Sequence, residues 1–118
     1  MKTYPLASLV DVLDAKVFVH GDEICVADLP AIYFNKVSTD SRQLEDGTIF
    51  VPLIGARFDG HRYLGEAVRK GAVAVLTQSL ETALEQQVNV PILLVSDTLA
   101  ALRQLAAWYR SQLQGRVI

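Results

Sequence analysis

The chain has 118 residues, 51% of them hydrophobic and 20% charged, enough for one closed core and too little for two ordinary domains. Its formal charge of −2 leaves no excess of Lys and Arg to neutralise a phosphate backbone, so a nucleic-acid surface is not expected and any phosphate must be met by a few local groups. Cys25 is the only cysteine, which rules out an intrachain disulfide and fits a reducing, cytoplasmic setting; Asp11 and Asp14 interrupt the N-terminal apolar residues before a signal peptide or membrane span is written.

Leu6, Leu9, Val10 and Leu13 follow helical spacing behind Thr3 and Pro5 and predict a short amphipathic first helix with a cap. Val17–Val19 and Ile24–Val26 flank His20-Gly21-Asp22-Glu23, the pattern of a hairpin with an open turn type, and Tyr33 to Val37 suits another strand. After the Asp46-Gly47 turn, Thr48 to Ile54 reads as a strand covered on both faces; Pro52 places it at an edge, in a bulge, or with that position turned from any neighbour.

A loop from Ala56 to Gly60 precedes a helix expected near His61, with Tyr63, Leu64, Ala67 and Val68 on its apolar face and Gly71 just past its end. Ala72–Leu76 follows as a buried strand, Ser79 caps a helix to about Gln87, and Pro91–Val95 is a further strand. Asp97 caps the last helix, whose expected face is Leu99, Leu102, Leu105, Ala106, Tyr109 and Leu113, with Gly115 as the stop. This alternation predicts a single α/β domain, a mixed sheet with helices packed on it. Arg116-Val117-Ile118 looks like the opening of another strand, which implies a piece of a longer protein.

Two segments concentrate polar chemistry. Thr39-Asp40-Ser41-Arg42 offers hydroxyls for a base edge or ribose; Arg42 can meet a phosphate or pair with Asp40, and the same residues also make an ordinary Asx or Ser turn. Gly55 to His61 combines glycines with a following helix N-terminus that can present N–H groups to an anion. Within it, Phe58 either plugs into the core or shows its face to a planar ligand. Trp108 and Tyr109 read as core or domain-interface residues.

No Gly-Lys-Ser or Gly-Lys-Thr occurs, so no ATP loop is present, and the dinucleotide fingerprint is missing as well. Ser41, His61 and Asp40 or Asp59 have the residue types of a hydrolase triad without a nucleophile elbow; His61, His20 and the aspartates lack metal-ligand spacing. No catalytic or metal residue is therefore assigned.

Val37 to Arg42, Gly47 with Ile49-Phe50-Val51, Gly55 to His61, and Ala67 with Gly71-Ala72 together resemble the N-terminal domain of Mur ligases, strongly over about residues 37 to 77. The subgroup implied adds the third residue or the terminal dipeptide to a UDP-muramoyl peptide. The Arg57 to His61 loop and the tail from Asp97 to Arg110 look most like the D-alanyl-D-alanine-adding branch, ahead of the branch adding diaminopimelate or lysine. The resemblance implies that residues 1–118 are the UDP-substrate-binding domain, with Thr39, Ser41, Ala56, Arg57 and Phe58 touching the UDP moiety. Asp40, Arg42, Asp59, Gly60 and His61 are expected to support the two loops.

Ala56 and Pro52 depart from the usual charged and small residues, so only backbone contact is expected at Ala56. The resemblance also implies a central domain that binds ATP and magnesium and packs on this one, a parent reaction through an acyl phosphate, and a chain that alone turns over no ATP. A freestanding nucleotide-binding module and a structural α/β adaptor are the competing classes; a continuation past Ile118 into Gly-Lys-Thr separates them from the ligase reading.

Overall fold

The computed structural model describes residues 3–114. Helix α1, Leu6–Leu13, forms where periodicity places it and buries Leu6, Leu9, Val10 and Leu13. The expected side-chain cap is absent: Pro5 occupies the N-cap, and the Leu6 N–H is instead satisfied across the fold by Ile32 O at 2.8 Å. The short strand before it, β1 (Tyr4–Pro5), pairs antiparallel with β4 (Tyr33–Phe34).

Strands β2 (Lys16–Val19) and β3 (Asp22–Ile24) make the hairpin through His20 and Gly21, at φ of 53° and 85°. Two consecutive positive φ values give the primed kind of turn that matches strand twist. The turn is tighter than expected, so Asp22 and Glu23 join the ladder while Val26 enters a 3₁₀ turn, Val26–Asp28.

The expected strand from Tyr33 to Val37 is two strands. Asn35 donates its N–H to Gly47 O at 2.9 Å, and there the chain leaves β4 for β5, Lys36–Ser38, in a different sheet. Strand β6, Thr48–Phe50, lies between β5 and β7 (Ala72–Thr77), and Val51 adds one more bond, to Ser38 O at 2.9 Å. It then stops, which resolves the proline: Pro52, lacking an N–H, lies beyond the ladder of an interior strand. The register shift beside β6 falls earlier, where Thr48 faces Ala72 and Ile49 faces Ala74.

Helix α2 is Leu64–Arg69, preceded by a 3₁₀ turn over Gly60–Tyr63, so the α-helix begins later than expected. Gly71 follows at φ 117°, and a Cβ there would stand 2.6 Å from Asp46 Oδ1. Ser79 caps α3, Leu80–Glu85, by accepting from the Thr82 N–H at 3.2 Å. After β8, Ile92–Leu94, Asp97 accepts from the Leu99 and Ala100 N–H groups at the start of α4, Thr98–Gln114. The buried stripe of α4 is Thr98, Ala101 and Leu105, rotated from the expected face; Leu99 and Tyr109 are 45% and 46% exposed. Contact with α1 and the sheet selects that stripe. Gly115 and the expected strand at Arg116–Ile118 lie outside the described residues.

The mixed sheet runs β3-β2-β8-β7-β6-β5, with β5 through β8 parallel and β2 antiparallel to both its neighbours. One apolar cluster joins α1 and α4 to Val17, Ile49, Val51, Ala74, Leu76 and Leu93. The other joins Leu64, Ala67 and Ala83 to Phe50, Val75 and Ile92. Alternating strand residues thus serve opposite faces, giving a single α/β/α domain as expected. Because β5 to β8 run one way, the segments after β5 and after β6 emerge at the same edge.

Leu93 is fully buried in the central strand β8. Leu93→Ala is expected to cost about 2–5 kcal/mol in urea unfolding with an unchanged denaturant slope; a loss below about 1 kcal/mol would contradict this core.

Candidate functional site

Beyond β5 the chain turns on its own side chains. Ser38 Oγ accepts from the Asp40 N–H at 3.1 Å and donates to Asp40 O at 3.3 Å. Asp40 Oδ1 then accepts from the Arg42 N–H at 2.9 Å, capping a 3₁₀ turn at Ser41–Gln43. Arg42 Nε and Nη2 return to the two carboxylate oxygens at 3.1 and 3.2 Å. Of the two partners open to Arg42, the fold therefore supplies Asp40. That side-chain pairing, followed by the backbone bond from Arg42, holds the Asp40 carboxyl below its ordinary value. Ser41 is buried and Thr39 exposed.

The second segment folds back as a narrow loop. Gly55 N–H donates to Phe58 O at 2.6 Å, Ile54 and Asp59 form an antiparallel bridge, and Gly60 N–H donates to Leu53 O at 2.8 Å. Gly60 is required by proximity, since a Cβ would meet Leu53 N at 2.9 Å and Pro52 Cα at 3.0 Å. Asp59 caps the next turn: its Oδ1 accepts from the His61 N–H at 2.9 Å and lies 2.8 Å from His61 Nδ1. Partial burial raises the Asp59 pKa, but the two His61 hydrogen bonds outweigh it and leave the carboxyl below its ordinary value.

His61 is 5% exposed and fixes the loop to the sheet. The Gln78 N–H donates to Nε2 at 3.0 Å, and a backbone N–H can only donate, so Nε2 carries the lone pair and Nδ1 the proton given to Asp59. Gln78 Oε1 in turn accepts from Thr98 N and Oγ1 at 2.8 and 3.0 Å, reaching the start of α4. From α3, Gln86 donates through Nε2 to His61 O at 2.6 Å and accepts through Oε1 from the Gly65 N–H at 2.9 Å. With both ring nitrogens occupied, His61 has a structural duty that leaves no nitrogen for a nucleophile or metal. The helix start expected to greet an anion is likewise occupied, as Asp59 takes the His61 N–H and, through its carbonyl, the Arg62 N–H.

Together the two segments wall a cleft of about 610 Å³. Thr39, Asp40, Ser41 and Arg42 form one side; Phe58 and Tyr63 form the other, with Phe50 and Glu66 also lining it. Phe58 does not plug into the core: it is 51% exposed and stacks on Tyr63 with centroids 5.9 Å apart and planes 18° from parallel. Tyr63, expected on the buried helix face, is part of this wall. Ala56 and Arg57 sit exposed at the loop tip and do not line the cleft. Sequence reasoning missed Glu66, Gln78 and Gln86; the only available signal was that Tyr63 and Glu66 share helical i, i+3 spacing.

A smaller groove of about 260 Å³ lies between Phe34–Val37 and α4. Trp108 meets Tyr4 edge-on there at 5.3 Å, so it packs as expected, but the lining has few polar groups to orient a ligand. Among the described residues, no group of three or more His, Cys, Asp or Glu side chains could hold a metal ion, and no helix is long and apolar enough to cross a membrane.

An α/β domain with a polar cleft at the carboxyl ends of its parallel strands is a common ligand-binding arrangement. Residues 33–110 match the model of the Mur ligase family, catalytic domain, and the chain belongs to the Mur ligase family. It is 34% identical over 110 residues to the UDP-N-acetylmuramoyl-tripeptide--D-alanyl-D-alanine ligase of Haemophilus influenzae, covering 93% of this chain and 21% of that protein. The Bacillus subtilis protein of the same name is 46% identical over 83 residues, 70% of this chain and 18% of its own. A UDP-N-acetylmuramoyl-L-alanyl-D-glutamate--2,6-diaminopimelate ligase from Listeria innocua is 35% identical over 79 residues, 67% of this chain and 15% of its own. A crystal structure of MurF from Acinetobacter baumannii superposes with TM-score 0.75 at 27% identity, covering 95% of this chain and 22% of that one. The chain thus spans about a fifth of the length of the relatives it matches.

Both loop carboxyls have folded values below 3.8, the ordinary carboxylate value. Their contribution is accordingly complete above that value and lost as pH falls through the lower folded one. Amide spectra recorded from pH 6 to 2 should show the Arg42 and His61 N–H resonances moving with midpoints below 3.8; midpoints at or above it would contradict these bonds.

Proposed function

We propose that this domain binds the UDP end of a UDP-N-acetylmuramoyl-peptide for an ATP-dependent amide-forming ligase that adds D-alanyl-D-alanine during cytoplasmic peptidoglycan precursor synthesis. The supporting observation is the cleft, which unites Thr39 to Arg42 with Phe58 although more than a dozen residues separate them. Uracil and ribose need aimed hydrogen bonds beside a flat apolar wall; Thr39 and Ser41 provide hydroxyls, and the Phe58–Tyr63 pair provides the wall.

Arg42, tied to Asp40, holds the turn that presents those hydroxyls. The diphosphate is assigned to the loop tip, where Arg57 has no ion-pair partner among the described residues and Ala56 offers its backbone. Catalysis is assigned elsewhere in the parent. The cleft does not fit magnesium and ATP, since Asp40 is committed to Arg42 and the sequence has no Gly-Lys-Ser or Gly-Lys-Thr. In this proposal ATP and magnesium belong to a central domain on which this one packs, and the chain alone turns over no ATP. Addition of diaminopimelate is the second reading, favoured by the Listeria innocua relative.

Replacing Phe58 by Ala removes half the aromatic wall. UDP affinity, read by calorimetry, should fall about tenfold, since stacking on an aromatic contributes about 1–3 kcal/mol per base, while the unfolding midpoint should hardly move because the ring is 51% exposed. Undiminished affinity in Phe58→Ala would remove the base from this wall.

A further inference from the structure

Glu66 is the one polar residue of the cleft that the binding scheme leaves unused. It stands in the first turn of α2, three residues after Tyr63 and therefore on the same side of the chain. Arg42 is close enough to sense its charge, but the guanidinium bonds go to Asp40. No side-chain donor among the described residues is hydrogen-bonded to the Glu66 carboxylate.

An ionised carboxylate accepts and cannot donate. The diphosphate of the ligand is anionic and is repelled by it. Uracil presents one N–H between two carbonyl oxygens, so a carboxylate at that edge gains one bond while opposing two acceptors. The ribose cis-diol is different: it is neutral and brings two O–H donors. Residues at i and i+3 of a helix stand about 5–6 Å apart, comparable to the distance from a stacked base to the hydroxyls of its sugar. With the base on Tyr63 and Phe58, the ribose is thus the part of the ligand that meets Glu66, and the diphosphate points away from it.

We propose that Glu66 reads the ribose hydroxyls in this cleft and makes the domain select ribonucleotides over 2′-deoxyribonucleotides. The assignment rests on the uridine-nucleotide reading given above and adds to it both a specificity-determining residue and a direction for the bound ligand.

The test titrates the 118-residue chain with UDP and, separately, with 2′-deoxy-UDP, for the wild type, Glu66→Ala and Glu66→Gln. The wild type should prefer UDP about tenfold, as expected for a hydrogen bond to a charged group. Glu66→Ala should reduce the preference to about twofold or less by weakening UDP alone. Glu66→Gln, which keeps one acceptor oxygen, should fall between. Equal wild-type affinities, or a preference that survives Glu66→Ala, would overturn the ribose assignment and leave uridine-nucleotide binding standing. Failure of both nucleotides to bind would overturn that binding itself and this assignment with it.

Discussion

The buried imidazole of His61 is the contact on which the site depends. It lies between the Asp59 carboxylate and the Gln78 N–H, so one ring joins the loop after β6 to the end of β7. Gln78 passes the connection to Thr98 at the head of α4, and Gln86 adds a bond from α3 to the His61 carbonyl. Removing the ring would leave the Gln78 N–H without its partner, a cost of about 1–3 kcal/mol for a buried donor. Four elements therefore agree on where Phe58 and Tyr63 stand, and an exposed aromatic pair acquires a fixed position without being buried.

The opposite wall needs no such reach. Asp40 and Arg42 are two residues apart in the chain, and their bonds close a turn from local partners alone. What aligns the walls is the sheet: β5 pairs parallel with β6, so both segments emerge at the carboxyl edge. The single-sided approach of Gly60 to Leu53 and Pro52 then folds the second segment back over that edge.

Local features were legible in sequence. Helix α1, the Ser79 and Asp97 caps and the buried strand β7 each follow from neighbouring residues. Features set by distant partners were not. The division of Tyr33 to Val37 depends on Gly47 accepting from Asn35, and the face of α4 depends on α1. At the site, the sequence singled out both polar segments, and the family resemblance implied supporting roles for Asp59, Gly60 and His61, whereas Gln78 and Gln86 lie 17 and 25 residues from His61 and carry no motif. Tyr63 read as core because its spacing matched Leu64 and Ala67; in the structure it ends the four-residue 3₁₀ turn before α2 and stacks outward on Phe58.

The proposed seat of the uracil ring is the loop-built wall of Phe58 and Tyr63. Intermolecular NOEs between UDP and the isotope-labelled chain test it most directly. Contacts from uracil H5 and H6 to the ring protons of Phe58 and Tyr63 are expected. Contacts confined to Trp108 and Tyr109 in the apolar groove would contradict it.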